Sequence, residues 1–234
     1  MNELLLIATL LLTYGSILLT FRYFGGTGLY VMNSVITILA NIEVLVVVNA
    51  FGIEQTLGNV LFATTFLVTD ILSETSGKKA ARRAVLIGAA SLIFFLILTQ
   101  LWVRYLPSES DWAMPSIQTL FSFAPRTIGA SLAVYILSQQ FDVWIYHQWW
   151  KLTERLSGSH RSWLWVRNNG STMISQLINT VVFTLLAFYG IYDTDTLISI
   201  MVSTYIIYFI ISILDTPFIY LARRINEKRQ SAKP

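Results

Sequence analysis

Apolar residues in this chain come in long unbroken runs, neither alternating nor confined to a stripe one helix face wide, and runs of about 20 residues suit helices that cross a bilayer. Seven such segments stand between charged or turn-forming stretches: residues 4–20, 29–51, 56–72, 84–103, 125–147, 170–191 and 196–222. The pattern predicts an all-α, polytopic helix bundle, with residues 1–234 forming a single transmembrane domain and no room for an appended soluble one. Gly25-Gly26-Thr27-Gly28 reads as the turn between the first two helices. Met1-Asn2-Glu3 lacks the basic start of a secretory signal, so the first segment is expected to be retained. The longest connections, 105–124 and 149–169, are too short to fold alone.

Charge then orients the bundle, because Lys and Arg collect on the cytoplasmic side. Of the 16 basic residues, 14 fall on alternate connections: Arg22, and those within 78–83, 151–167 and 223–233; Arg104 and Arg126 fall on the others. Those alternate connections fall on one face only with seven crossings, which gives an N-terminus outside, a cytoplasmic C-terminus and a place in the inner membrane. Composition agrees, with 55% hydrophobic residues, 12% charged and a mean hydropathy of +0.61. The net charge of +3 follows from this topology, so nucleic acid is not an expected partner. With no cysteine and two histidines, disulfides and thiolate metal sites are excluded and no metal or cofactor is expected. Trp102, Trp112, Trp144, Trp149, Trp150, Trp163 and Trp165 lie at segment ends, as interfacial belts require.

Against that background the ionisable residues inside segments stand out, since each costs on the order of 2.5–3.5 kcal/mol at mid-membrane and is therefore a candidate for function. They are Glu43, Asp70, Arg126, Asp142 and Asp215, accompanied by Asn33, Asn41, Asn49, Gln139, Gln176 and Asn179. Helical spacing puts Gln139 with Asp142 on one face of the fifth segment and Gln176 with Asn179 on one face of the sixth. The two runs echo each other, Ser138-Gln139-Gln140-Phe141-Asp142 against Ser175-Gln176-Leu177-Ile178-Asn179. Amides and a carboxylate in one cleft suit the edge of a planar, purine-like heterocycle; taken singly, each amide reads as interhelical glue. Asp70 or Glu74 is placed to pair with Arg82 or Arg83. Asp215-Thr216-Pro217 reads as a kink or gating element, or as a helix end satisfied by Thr216. No Walker-type loop is present, and no intramembrane histidine stands ready to activate a serine.

Thr69-Asp70-Ile71-Leu72-Ser73-Glu74, followed by Gly77-Lys78-Lys79-Ala80-Ala81-Arg82, with Arg126, Ser131, Ser138-Gln139-x-x-Asp142, Ser175-Gln176 and Asp215-x-Pro217, resembles the VUT family of vitamin uptake transporters, whose members are regarded as queuosine precursor transporters. The resemblance implies a non-enzymatic carrier that imports 7-cyano-7-deazaguanine, 7-aminomethyl-7-deazaguanine or both for queuosine modification of tRNA. It implies substrate contacts at Asn41, Asp70, Glu74, Arg126, Gln139, Asp142, Gln176 and Asp215; the paired motifs add Ser138 and Asn179. Asn179 stands where the family usually has Asp, Thr75-Ser76 replaces an aromatic-containing step, and an extra helix precedes the six-helix core. The expected partners are the deazaguanine base and the lipid bilayer, with a homodimer left open. One alternative is a binding module like the S component of an energy-coupling-factor transporter, dependent on coupling subunits. A membrane enzyme or assembly factor ranks lower, because apart from Arg126 the intramembrane set is acidic or amide.

Overall fold

The computed structural model describes residues 1–122, 125–159 and 162–231, with 122 and 125–128 described in backbone only. The side chain of Arg126, and Arg161 and Lys233 altogether, fall outside the described residues. In chain order the elements are α1 (Asn2–Glu43), β1 (Val47–Ala50), β2 (Ile53–Thr56), α2 (Gly58–Ser76), α3 (Lys78–Trp102), α4 (Met114–Ser122), α5 (Pro125–Ser157), α6 (Leu164–Phe188) and α7 (Thr194–Ser231).

α1 is two arms, not one rod. Gly25 leaves the helix at φ 65°, ψ −146°, a conformation glycine reaches without a Cβ penalty, and the chain doubles back. A straight helix of this length would span roughly 60 Å, yet Asn2 Nδ2 donates to the Asn49 carbonyl at 2.9 Å and Gly28 lies against Thr20. Arg229 of α7 closes the reversal by donating to the carbonyls of Phe21 and Arg22. Those carbonyls end the first arm, where a cation is favourable.

α2 is the centre of the bundle, buried from Gly58 to Ser73 except at Phe62. α1, α3, α5 and α7 surround it, and α6 packs between α5 and α7. A helix can be buried all round only if its polar groups are satisfied internally. Thr64, Thr65 and Thr69 do this by donating to the carbonyls of Leu61, Phe62 and Phe66. The flanking helices turn Leu11, Leu12, Phe94, Ile97 and Ile210 outward, surface that water would not tolerate at this extent but lipid does. α1, α3, α6 and α7 are each long and apolar enough to cross a membrane. The protein is a helical membrane protein.

Hydropathy locates helix middles better than helix ends. The second segment, expected to stay helical to Phe51, leaves the helix at Glu43 and becomes an antiparallel hairpin, with Val47 opposite Thr56 and Ala50 opposite Ile53. Phe51 and Gly52 both have positive φ, 56° and 73°, as a two-residue hairpin turn demands. Asn49 therefore lies on a strand rather than inside a spanning helix. α5 and α7 run well past their apolar stretches, because Lys, Arg, Glu and Gln continue a helix readily. α7 also continues through Pro217 without a break.

Candidate substrate cavity and polar core

At the end of the bundle carrying the N-terminus, the hairpin and the 189–193 turn, a cavity of about 630 Å³ opens between α1, α2, α5, α6 and α7. That falls within the roughly 300–1,000 Å³ of small-molecule sites. Asn41, Asn59, Ser131, Asn179, Thr180, Thr184 and Tyr208 supply polar groups, and Phe62, Phe183, Phe188 and Tyr192 supply flat apolar ones. Asn41, Asn59, Ser131 and Tyr208 are positioned by neighbours. Ser131 Oγ donates to Asn41 Oδ1 at 2.8 Å, Asn41 Nδ2 donates to the Thr37 carbonyl at 2.9 Å, and Tyr208 Oη donates to Asn59 Oδ1 at 3.3 Å.

Of the ten residues singled out by sequence, Asn41 and Asn179 line this cavity. Six others, Asp142 among them, lie deeper. Ser138 donates to the Val134 carbonyl and approaches Asn179 Oδ1 at 3.4 Å, so the paired motifs of α5 and α6 do meet. Gln139 turns instead toward α2, donating to Thr65 Oγ1 and accepting from Thr69 Oγ1 at 3.1 Å. Gln176, one turn below Asn179, is buried with both amide atoms unpartnered among the described residues. Asp70 accepts from Thr172 Oγ1 at 3.2 Å and faces Asp142. Asp215, on α7, accepts from Tyr14 Oη of the first arm. The side chain of Arg126 is not described.

Glu74 lies at the opposite, basic end. The pairing with Arg82 or Arg83 expected from sequence does not occur: the Glu74 carboxylate accepts from Arg167 Nη2 at 2.8 and 2.9 Å and from Nε at 3.1 Å. Tyr146 Oη donates to it at 2.9 Å, and Arg223 lies 3.7 Å away. The Arg167 guanidinium also sits 4.4 Å from the Trp150 ring centre. Its side chain is fully buried, that of Glu74 is 5% exposed, and the cluster ties α2, α5, α6 and α7 together. The reason is geometric: Arg82 and Arg83 are exposed on α3, whereas Arg167 enters the bundle as α6 begins.

A family profile described as "Putative vitamin uptake transporter" matches residues 56–222. The chain belongs to that family. It is a multi-pass protein of the cell membrane and a transporter, not an enzyme. It is also similar to a protein of Bacillus subtilis (strain 168) named "Probable queuosine precursor transporter", 39% identical over 217 residues that cover 92% of this chain and 93% of that one. No solved structure matches.

In this member of the family, sequence reading passed over Arg167, Tyr14, Asn59 and Tyr208. Arg167 was counted with the cytoplasmic basic residues, where its position in a basic stretch hid its burial. The tyrosines look like any apolar-run aromatic. The signal for Asn59 was available, since it follows Gly58 at the mouth of an apolar run.

Proposed function

We propose that this transporter imports a queuosine precursor, 7-cyano-7-deazaguanine or 7-aminomethyl-7-deazaguanine, and that the cavity between α1, α2, α5, α6 and α7 receives it. The observation that carries this reading is the cavity itself, which sets amides on three sides of a space walled by aromatic rings. A deazaguanine presents an edge of adjacent donors and acceptors to match Asn41, Asn59 and Asn179, which offer both, and a flat face to stack against Phe62, Phe183 or Tyr208. The name of the Bacillus subtilis relative supports the same substrate class.

In this reading the two arms of α1 and helices α2, α3, α5, α6 and α7 make seven crossings, with the N-terminus outside. The cavity then opens outward, while the Glu74–Arg167 cluster closes the cytoplasmic end. Thermal unfolding of the purified protein tests the assignment. Either deazaguanine should raise the midpoint, biotin should not, and Asn179→Leu should remove most of the rise. Stabilisation by a vitamin but by neither deazaguanine would overturn the substrate.

A further inference from the structure

Three carboxylates are buried in the bundle with no cation paired to them among the described residues. Asp70, Asp142 and Asp215 are each at most 1% exposed and come from α2, α5 and α7. The groups that act on them can be named helix by helix among the described residues. From α1 comes Tyr14, bonded to Asp215; from α5, Tyr146; from α6, the hydroxyls of Ser171, Thr172 and Ser175; from α3, nothing titratable. Arg167 is engaged by Glu74 one turn along α2.

Asp70 and Asp142 meet carboxyl to carboxyl. Asp142 has no cation and no close hydrogen bond among the described residues, only the nearby hydroxyls of Ser171 and Ser175, and Oδ1 of Asp70 is likewise without a close donor. Unpaired charge in this setting is costly, and two carboxyl groups in contact are held together by a proton between them. A second, independent feature points the same way. Asn168 and Gln176 are buried with side-chain polar atoms unpartnered among the described residues, and helical spacing puts them along the side of α6 that carries Thr172 and Asn179. Thr172 touches Asp70 and Asn179 lines the cavity, so this polar track runs from the cavity past the acidic pair toward Arg167. No three acidic or imidazole groups converge as a metal ion requires among the described residues.

We propose that the Asp70–Asp142 pair, with Asp215 beside it, is a proton-binding site separate from the substrate cavity, and that its loading and release drive substrate movement. The driving role rests on the transport reading above; the site itself does not. A proton taken from the cavity reaches the pair along α6, and its release to the basic end requires the Glu74–Arg167 cluster to part.

Infrared spectroscopy of the reconstituted full chain at neutral pH, in light and heavy water, reads protonated carboxyls through a C=O band that shifts on deuteration. The expected result is such a band in the unmodified protein, lost or displaced in Asp70→Asn and in Asp142→Asn and unchanged in Asp193→Asn. Absence of any deuterium-sensitive carboxyl band from the unmodified protein overturns the site without relying on a variant that folds. In liposomes with a trapped pH dye, added 7-cyano-7-deazaguanine should enter together with protons, and a protonophore should abolish its accumulation. Entry without proton movement, or driven by sodium instead, overturns the driving role and leaves the substrate reading intact. A carboxyl band with no binding of either deazaguanine overturns the substrate reading and leaves the proton site standing.

Discussion

Gly88 shows how tightly single residues are constrained inside this bundle. A Cβ there would lie 2.2 Å from Tyr135 Oη and 2.6 Å from Asn33 Nδ2. Those two groups are hydrogen-bonded at 2.8 Å, and Asn33 also donates to the Ala84 carbonyl at 2.9 Å, tying α1, α3 and α5. Gly88→Ala should therefore cost about 1–3 kcal/mol, the usual scale of overpacking, read as a lower unfolding midpoint in detergent. The Glu74–Arg167 pair is a larger stake. Glu74→Gln leaves a fully buried guanidinium short of its counter-charge and should destabilise by roughly 3–5 kcal/mol, with the double change Glu74→Gln, Arg167→Met recovering much of the loss in the same assay. Asp70, Asp142 and Asp215 were legible in the sequence because a charge inside an apolar run has no ordinary explanation. Arg167 was not legible, since a basic residue beside a basic loop has one.

Among elements, the reversal of α1 depends on one residue. Gly25→Ala places a Cβ at positive φ and 2.8 Å from Arg229 Nη2. It should destabilise by about 1 kcal/mol or more, checked by the unfolding midpoint. The start of α7 offers a pH-dependent counterpart. Asp193 Oδ1 accepts the Thr196 backbone N–H at 2.7 Å, which holds its carboxyl below the ordinary value. Its contribution is present above the ordinary carboxylate range and is lost as pH falls through the lowered value. Asp193→Asn should leave the neutral-pH midpoint nearly unchanged and flatten its acid dependence. Apolar runs revealed where helices sit, but the β1–β2 hairpin escaped because Val46, Val47 and Val48 extend the hydropathy of the preceding helix. Only Phe51-Gly52 marked the turn. The same limit explains α5 and α7, whose polar ends carry no hydropathy signal though their residues favour helix.

For the whole molecule, the Gly25 reversal, the Glu74–Arg167 cluster and the C-terminal turns of α7 lie at one end of the bundle, while the cavity opens at the other. The chain has no cysteine of its own, so single cysteines report sidedness cleanly. In intact cells, Glu54→Cys and Tyr192→Cys should react with an impermeant maleimide, and Lys228→Cys should react only after the membrane is opened. The reverse pattern would invert the orientation. What hydropathy and charge could not supply was the depth of each polar residue, which depends on α2 being central and on the α5–α6 contact. The most direct test of the account is uptake of labelled 7-cyano- and 7-aminomethyl-7-deazaguanine into liposomes containing only this chain and preloaded with unlabelled compound. The account predicts counterflow of at least one of them that excess guanine-like competitor suppresses and Asn179→Leu reduces; saturable binding with no entry of label would contradict it and mark the chain as a binding module that needs coupling subunits.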